Sequence, residues 1–67
     1  MEATQLTREK VTIAFAPNEL AFFCSAINES LEAVEEWEFQ TRTGETRERA
    51  AEMLAQLRTM LNEAERS

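Results

Sequence analysis

Pro17–Val34, PNELAFFCSAINESLEAV, is the stretch on which the fold turns. Wound as a helix with Leu20 at the origin, it gathers Phe23, Cys24, Ile27, Leu31 and Val34 into a stripe about 100° wide, the width of a helix laid on a core. Glu29, Glu32 and Glu36 fall on the far side. Phe22 breaks the pattern, projecting about 160° from the centre of the stripe, in rough line with Ala26 and Ala33. A large aromatic on the polar side of a helix implies a second contact surface.

Moving toward the N-terminus, Pro17 suits the first helical position, where its missing N–H costs nothing. Ala16 is then the N-cap, a poor one, because it has no side-chain acceptor for the orphan amides. Asn18 and Glu19 in the first turn partly offset this through the helix dipole. In Lys10–Ala16, KVTIAFA, Val11, Ile13 and Phe15 alternate with Thr12, Ala14 and Ala16. Alternation of β-branched and aromatic residues predicts a strand over 10–15. Residues 1–9 are polar and patternless and read as a disordered tail, leaving 10–67 as a single strand-helix-helix domain.

Beyond Val34 the helical period breaks. Trp37 and Phe39 would flank the stripe on opposite sides of a continued helix, and Glu36–Gln40 also alternates as a strand would. Two readings stand: a short helix, 37–43, ended by Gly44 in a left-handed cap, or an extended piece, 36–40; the short helix is preferred. Thr46 is a good N-cap for a second long helix, 46–64. That helix carries Ala50, Met53, Leu54, Leu57, Met60, Leu61 and Ala64 on a face about 120° wide. The fold class is therefore mainly α: an N-terminal strand and two long helices, with a short helix or extended segment between them.

Composition narrows the function. A chain of 67 residues makes one domain at most and buries a modest fraction of its surface, which leaves it marginal unless something staples it. Cys24 is the only cysteine, so no disulfide closes within the chain. With no His and no Asp, the usual zinc ligand sets are missing, and no cofactor is expected. Self-association is the reinforcement that remains. A net charge of −6 argues against a nucleic-acid partner, which calls for a basic stripe. The longest apolar run, Leu20–Cys24, is too short to span a bilayer, and MEATQLTREK has neither the apolar run nor the cleavage site of a signal peptide. An unpaired cysteine without an export signal fits the cytoplasm.

Chemistry would have to rest on glutamates and Cys24. The thiol lies on the apolar stripe beside Phe23 and Ile27, where cysteine is usually an inert core residue, so no catalytic residue is assigned. Glu29, Glu32 and Glu36 could be imagined as a carboxylate ladder for a hard cation. Without the Glu-x-x-His partner of helical carboxylate sites they read as a solvated face. Arg42, Arg47 and Arg49 bracket Gly44 and form the only basic cluster. They are the candidate contact for an acidic partner, against the simpler reading that they neutralise Glu35, Glu36, Glu38 and Glu45.

Two resemblances bear on this. KVTIAFAPNEL and TGETRERAAEML resemble the opening strand and the second-helix start of ribbon-helix-helix proteins, a family of dimeric DNA-binding regulators that includes antitoxins. The resemblance implies an intertwined dimer with paired strands. The chain departs from the family by the extra residues 35–43 and by a strand whose outward set is Lys10, Thr12 and Ala14, with few donors for base edges. The string EFQTRTG, with FAPNEL and AINE before it, is similar to small uncharacterised bacterial proteins carrying an EFxTRxG segment, and this implies no activity.

The expected function is thus a non-enzymatic, acidic interaction or regulatory module acting as a cytoplasmic homodimer. The alternative is a ribbon-helix-helix-like DNA-binding regulator or antitoxin. Val11, Ile13, Phe15, Phe22 and Trp37 are the expected dimer interface, with the strand pairing to its own copy.

Overall fold

The computed structural model describes residues 1–67. Strands β1 (Glu2–Leu6) and β2 (Val11–Ala14) are followed by helices α1 (Pro17–Ala33), α2 (Glu36–Thr43) and α3 (Arg47–Arg66). The protein is mainly helical with an N-terminal hairpin.

The hairpin corrects the reading of residues 1–9 as a disordered tail. β1 pairs antiparallel with β2, with Glu2 opposite Ala14, Ala3 opposite Ile13, Gln5 opposite Thr12 and Leu6 opposite Val11. The register slips between Ala3 and Gln5, leaving Thr4 as an extra, bulged residue whose hydroxyl donates to Thr12 O at 3.2 Å. The turn contains no Gly, Asn or Pro and no residue of positive φ. Thr7 closes it instead: its N–H and its hydroxyl both donate to Lys10 O at 2.9 Å, and its Oγ1 accepts the Lys10 N–H at 2.9 Å. So β2 does not rely on another chain for its first ladder, because β1 supplies it.

α1 begins at Pro17 as the sequence predicts, with Ala16 extended at the N-cap. Half of a capping box is present. Glu19 Oε1 accepts the Ala16 N–H at 2.9 Å, and Ala16 has nothing to return. Since Ala16 is exposed, Ala16→Ser should supply the missing acceptor and raise stability by about 0.5–1 kcal/mol. Urea unfolding checks this; an unchanged or lowered midpoint would mean that the first-turn amides are already satisfied.

Between α1 and α2 the chain is extended at Val34 (φ −117°, ψ 133°) and Glu35 (φ −71°, ψ 158°). Neither Gly nor Pro causes this exit. The Arg47 guanidinium, reaching back from α3, donates to Val34 O, and its Nε lies 3.7 Å from Glu36 Oε2. α2 then runs as the short helix, one residue earlier in its start than expected. It closes at Gly44 (φ 78°), whose N–H donates to Gln40 O at 2.9 Å. A side chain at Gly44 would meet no atom within 4 Å, so glycine is required there for its left-handed backbone and not for space. Thr46 caps α3, its Oγ1 accepting the Arg49 N–H at 3.0 Å, and the helix persists to Arg66, past the expected fraying.

The core lies between α1 and α3. Leu20, Cys24 and Leu54 are buried together, flanked by Phe15, Ile27, Leu31, Leu57 and Leu61. Arg58 Nη2 donates to Asn28 Oδ1 at 3.3 Å across the same pair of helices. Phe39, the fourth buried residue, ties α2 to the pair. The rest is at least partly exposed, which leaves an open, flat molecule of 37 × 31 × 16 Å.

Candidate functional site

Residues directly opposite in an antiparallel ladder share a face. Ala3, Leu6, Val11 and Ile13 therefore form one apolar side of the hairpin, and Glu2, Gln5, Thr12 and Ala14 the other. The bulge at Thr4 is what brings Leu6 onto the face of Ala3. No helix covers this apolar side: Leu6 is 71% exposed, Val11 58% and Ile13 42%. Phe15 carries the apolar surface onto α1, meeting Phe23 edge-to-face at 5.3 Å, and Phe23 meets Phe22 at 5.5 Å. Phe22 stands outward and is 66% exposed, as its position off the apolar stripe predicts.

The chain as a whole is also more open than its mass requires. A compact monomer of 7.7 kDa exposes about 4,300 Å² and has a radius of gyration near about 11 Å. This chain exposes 5434 Å² and has a radius of 13.4 Å. The excess, about 1,100 Å², is of the order that one partner buries in a stable interface. The hairpin surface is also neutral. In residues 1–16 Arg8 and Lys10 balance Glu2 and Glu9, so the whole net side-chain charge of −6 lies on residues 17–67.

The Met1 ammonium donates to both carboxylate oxygens of Glu19, at 2.7 and 2.8 Å, tying β1 to the first turn of α1. These bonds, helped by the Ala16 N–H, hold the Glu19 carboxyl below its ordinary value. A lowered carboxyl stabilises the fold above its unfolded pKa, and the contribution disappears as pH falls through the folded value.

Trp37 does not join this surface. It lies beyond the C-terminal end of α1, a helix of about 25 Å, whereas Phe15, Phe22 and Phe23 cluster at its N-terminal end. Its ring is 69% exposed, with Nε1 donating to Glu35 Oε2 at 3.2 Å. The arginines near Gly44 are engaged within the chain: Arg42 with Glu38 at 2.5 Å, Arg49 with Glu52 at 3.6 Å, and Arg47 at the α1–α2 corner. Arg42 and Arg47 thus pair with Glu38 and Glu36, as the neutralising reading expects, while Arg49 turns to Glu52; the side chains of Arg42 and Arg49 stay exposed.

A cleft of about 230 Å³ opens between the three helices, walled by Ile27, Phe39, Ala50 and Met53. The hydroxyls on its rim are turned to their own helices, Ser30 donating to Ala26 O at 2.9 Å and Thr43 to Phe39 O at 2.8 Å. The cleft is walled mainly by apolar side chains, with Glu45 also lining it. Cys24 is 5% exposed in the core. It should resist a thiol reagent in the native protein and react at the global unfolding rate, and Cys24→Ala should cost on the order of 1 kcal/mol. Rapid native labelling would show that the α1–α3 interface opens. Glu29 and Glu32 point to solvent, and no group of three or more potential metal ligands comes together. No helix is long and apolar enough to cross a membrane.

Sequence reasoning missed Leu6 and the other β1 residues of the apolar face. The available signal was the run of Leu6 and Val11 on either side of a short polar turn, matched to a strand already expected. Comparison with protein-family models, curated proteins and solved structures finds no match to this chain.

Proposed function

We propose that the protein is a non-enzymatic interaction module that acts as a homodimer, joined through the N-terminal hairpin and the adjoining Phe15–Phe23–Phe22 cluster. The observation that carries this reading is the uncovered apolar side of the hairpin, where Leu6, Val11 and Ile13 stand exposed, in a chain whose total surface exceeds that of a compact one by about 1,100 Å². Charge says which partner suits it. Two copies of an acidic chain repel through their helices, and the neutral hairpin is where they meet without that repulsion. The absence of His and Asp, and the burial of the one thiol, support a role without catalysis. The arginines, each turned to its own glutamates, favour a protein over a nucleic acid as any further partner.

Light scattering at micromolar concentration should give twice the 7.7 kDa chain mass. Phe22→Asp should leave the monomer fold intact, since the ring is exposed, and weaken the dimer at least about tenfold. A wild-type mass of one chain would overturn the proposal.

A further inference from the structure

We infer that two copies join edge to edge along β2, in two-fold antiparallel register centred on Thr12, to make a four-stranded sheet ordered β1-β2-β2-β1. This rests on the homodimer proposed above and specifies its interface. Lys10 O accepts the Thr7 N–H and Thr12 O accepts the Thr4 hydroxyl, so both residues turn their backbone groups toward β1. By the alternation of an antiparallel ladder, Val11 and Ile13 turn theirs to the opposite edge. Outside the hairpin ladder, no residue of Val11–Ala14 takes part in a backbone–backbone hydrogen bond. That edge is an unfilled template for another strand.

Backbone parity allows only a few registers. Outward-facing residues must meet outward-facing residues, so the two-fold axis passes through a residue. Centred on Thr12, Val11 exchanges both bonds with Ile13 of the second copy, and Ile13 with its Val11, giving four new bonds with every partner inside the strand. Centred on Val11, the register draws in the turn residue Glu9; centred on Ile13, it draws in Phe15, which has left the strand. In the Thr12 register β-branched side chains oppose each other across the new ladder and Lys10 falls opposite Ala14, so no like charges meet. Growth stops at two copies, because the remaining edge belongs to β1, which Thr4 interrupts with its bulge.

Cysteine substitution reads the register. Thr12 would face its own copy as a non-hydrogen-bonded pair with Cα atoms about 4.5 Å apart, within disulfide reach, whereas Ala14 and its copy would lie about 14 Å apart. Thr12→Cys should therefore cross-link almost completely under mild oxidation to a species of doubled mass, and Ala14→Cys should stay single, with buried Cys24 silent in both. Failure of Thr12→Cys to cross-link, or equal cross-linking of Ala14→Cys, in a protein that weighs two chains would overturn the β2 register and leave the homodimer standing on another surface. A wild type that weighs one chain would overturn both.

Discussion

Leu54→Ala should remove a large share of the protein's stability. Leu54 is 4% exposed and closes the only core against Leu20 and Cys24. Removing three carbons from such a site costs about 2–5 kcal/mol, the transfer term plus the cavity left behind. The cavity term will be near its upper range here, since helical backbones on both sides limit collapse. A domain of this length has about 3–10 kcal/mol of stability to lose. In urea, followed by circular dichroism, the midpoint should fall by at least about 2 M, or the transition should lose its folded baseline. A loss below about 1 kcal/mol would mean that the α1–α3 pair is not the seat of stability and that the association of copies supplies it. Raising protein concentration distinguishes these, because only an association-limited fold gains stability with concentration.

Phe39→Ala removes a comparable amount of buried surface, about 3–5 kcal/mol, yet its effect should be confined. Phe39 lies outside the Leu20–Cys24–Leu54 cluster, and it is the single buried residue of α2. An eight-residue helix has no stability of its own. Amide exchange at 36–43 should approach unprotected rates in the variant while the central turns of α1 and α3 keep their protection. Simultaneous loss of protection in all three helices would show that α2 is part of the global cooperative unit.

The parts of the fold legible in the sequence were those specified by local chemistry. Pro17, Gly44 and Thr46 each do one backbone job at one position, and each sits where that job is done. The choice between helix and strand at 36–40 turned on whether Trp37 and Phe39 share a face. In a strand they would, and in a helix they lie about 160° apart. Phe39 is 4% exposed and Trp37 69%, as the helix requires. β1 was illegible for a specific reason. The bulge puts Ala3 and Leu6, three residues apart, on one face, so the period of two is erased from the sequence although the ladder is intact. Its turn hid as well, since Thr7 does with a hydroxyl what Gly or Asn does with a left-handed backbone.

The site followed the same division. Phe22 was legible as misplaced on its own helix, and Cys24 as part of the stripe. Trp37, expected at the same interface, lies within the chain a helix length from the Phe22 cluster, a separation that side-chain type does not encode. Phe23 sits on the apolar stripe yet is 37% exposed, because the buried cluster on α1 is confined to Leu20 and Cys24. Which end of an amphipathic helix is left bare depends on where its partner helix crosses, and the sequence of α1 does not carry that information.

The contact from Arg47 to Val34 O bears on the order of folding. It closes the α1–α2 corner with a side chain thirteen residues away, from a helix that must already be formed and docked. α1 and α3 can meet first, and the corner, with α2 inside it, sets only afterwards. Phe39→Ala is therefore expected to speed unfolding and leave the folding rate almost unchanged, whereas Leu54→Ala should slow folding itself, which stopped-flow folding kinetics in urea would check.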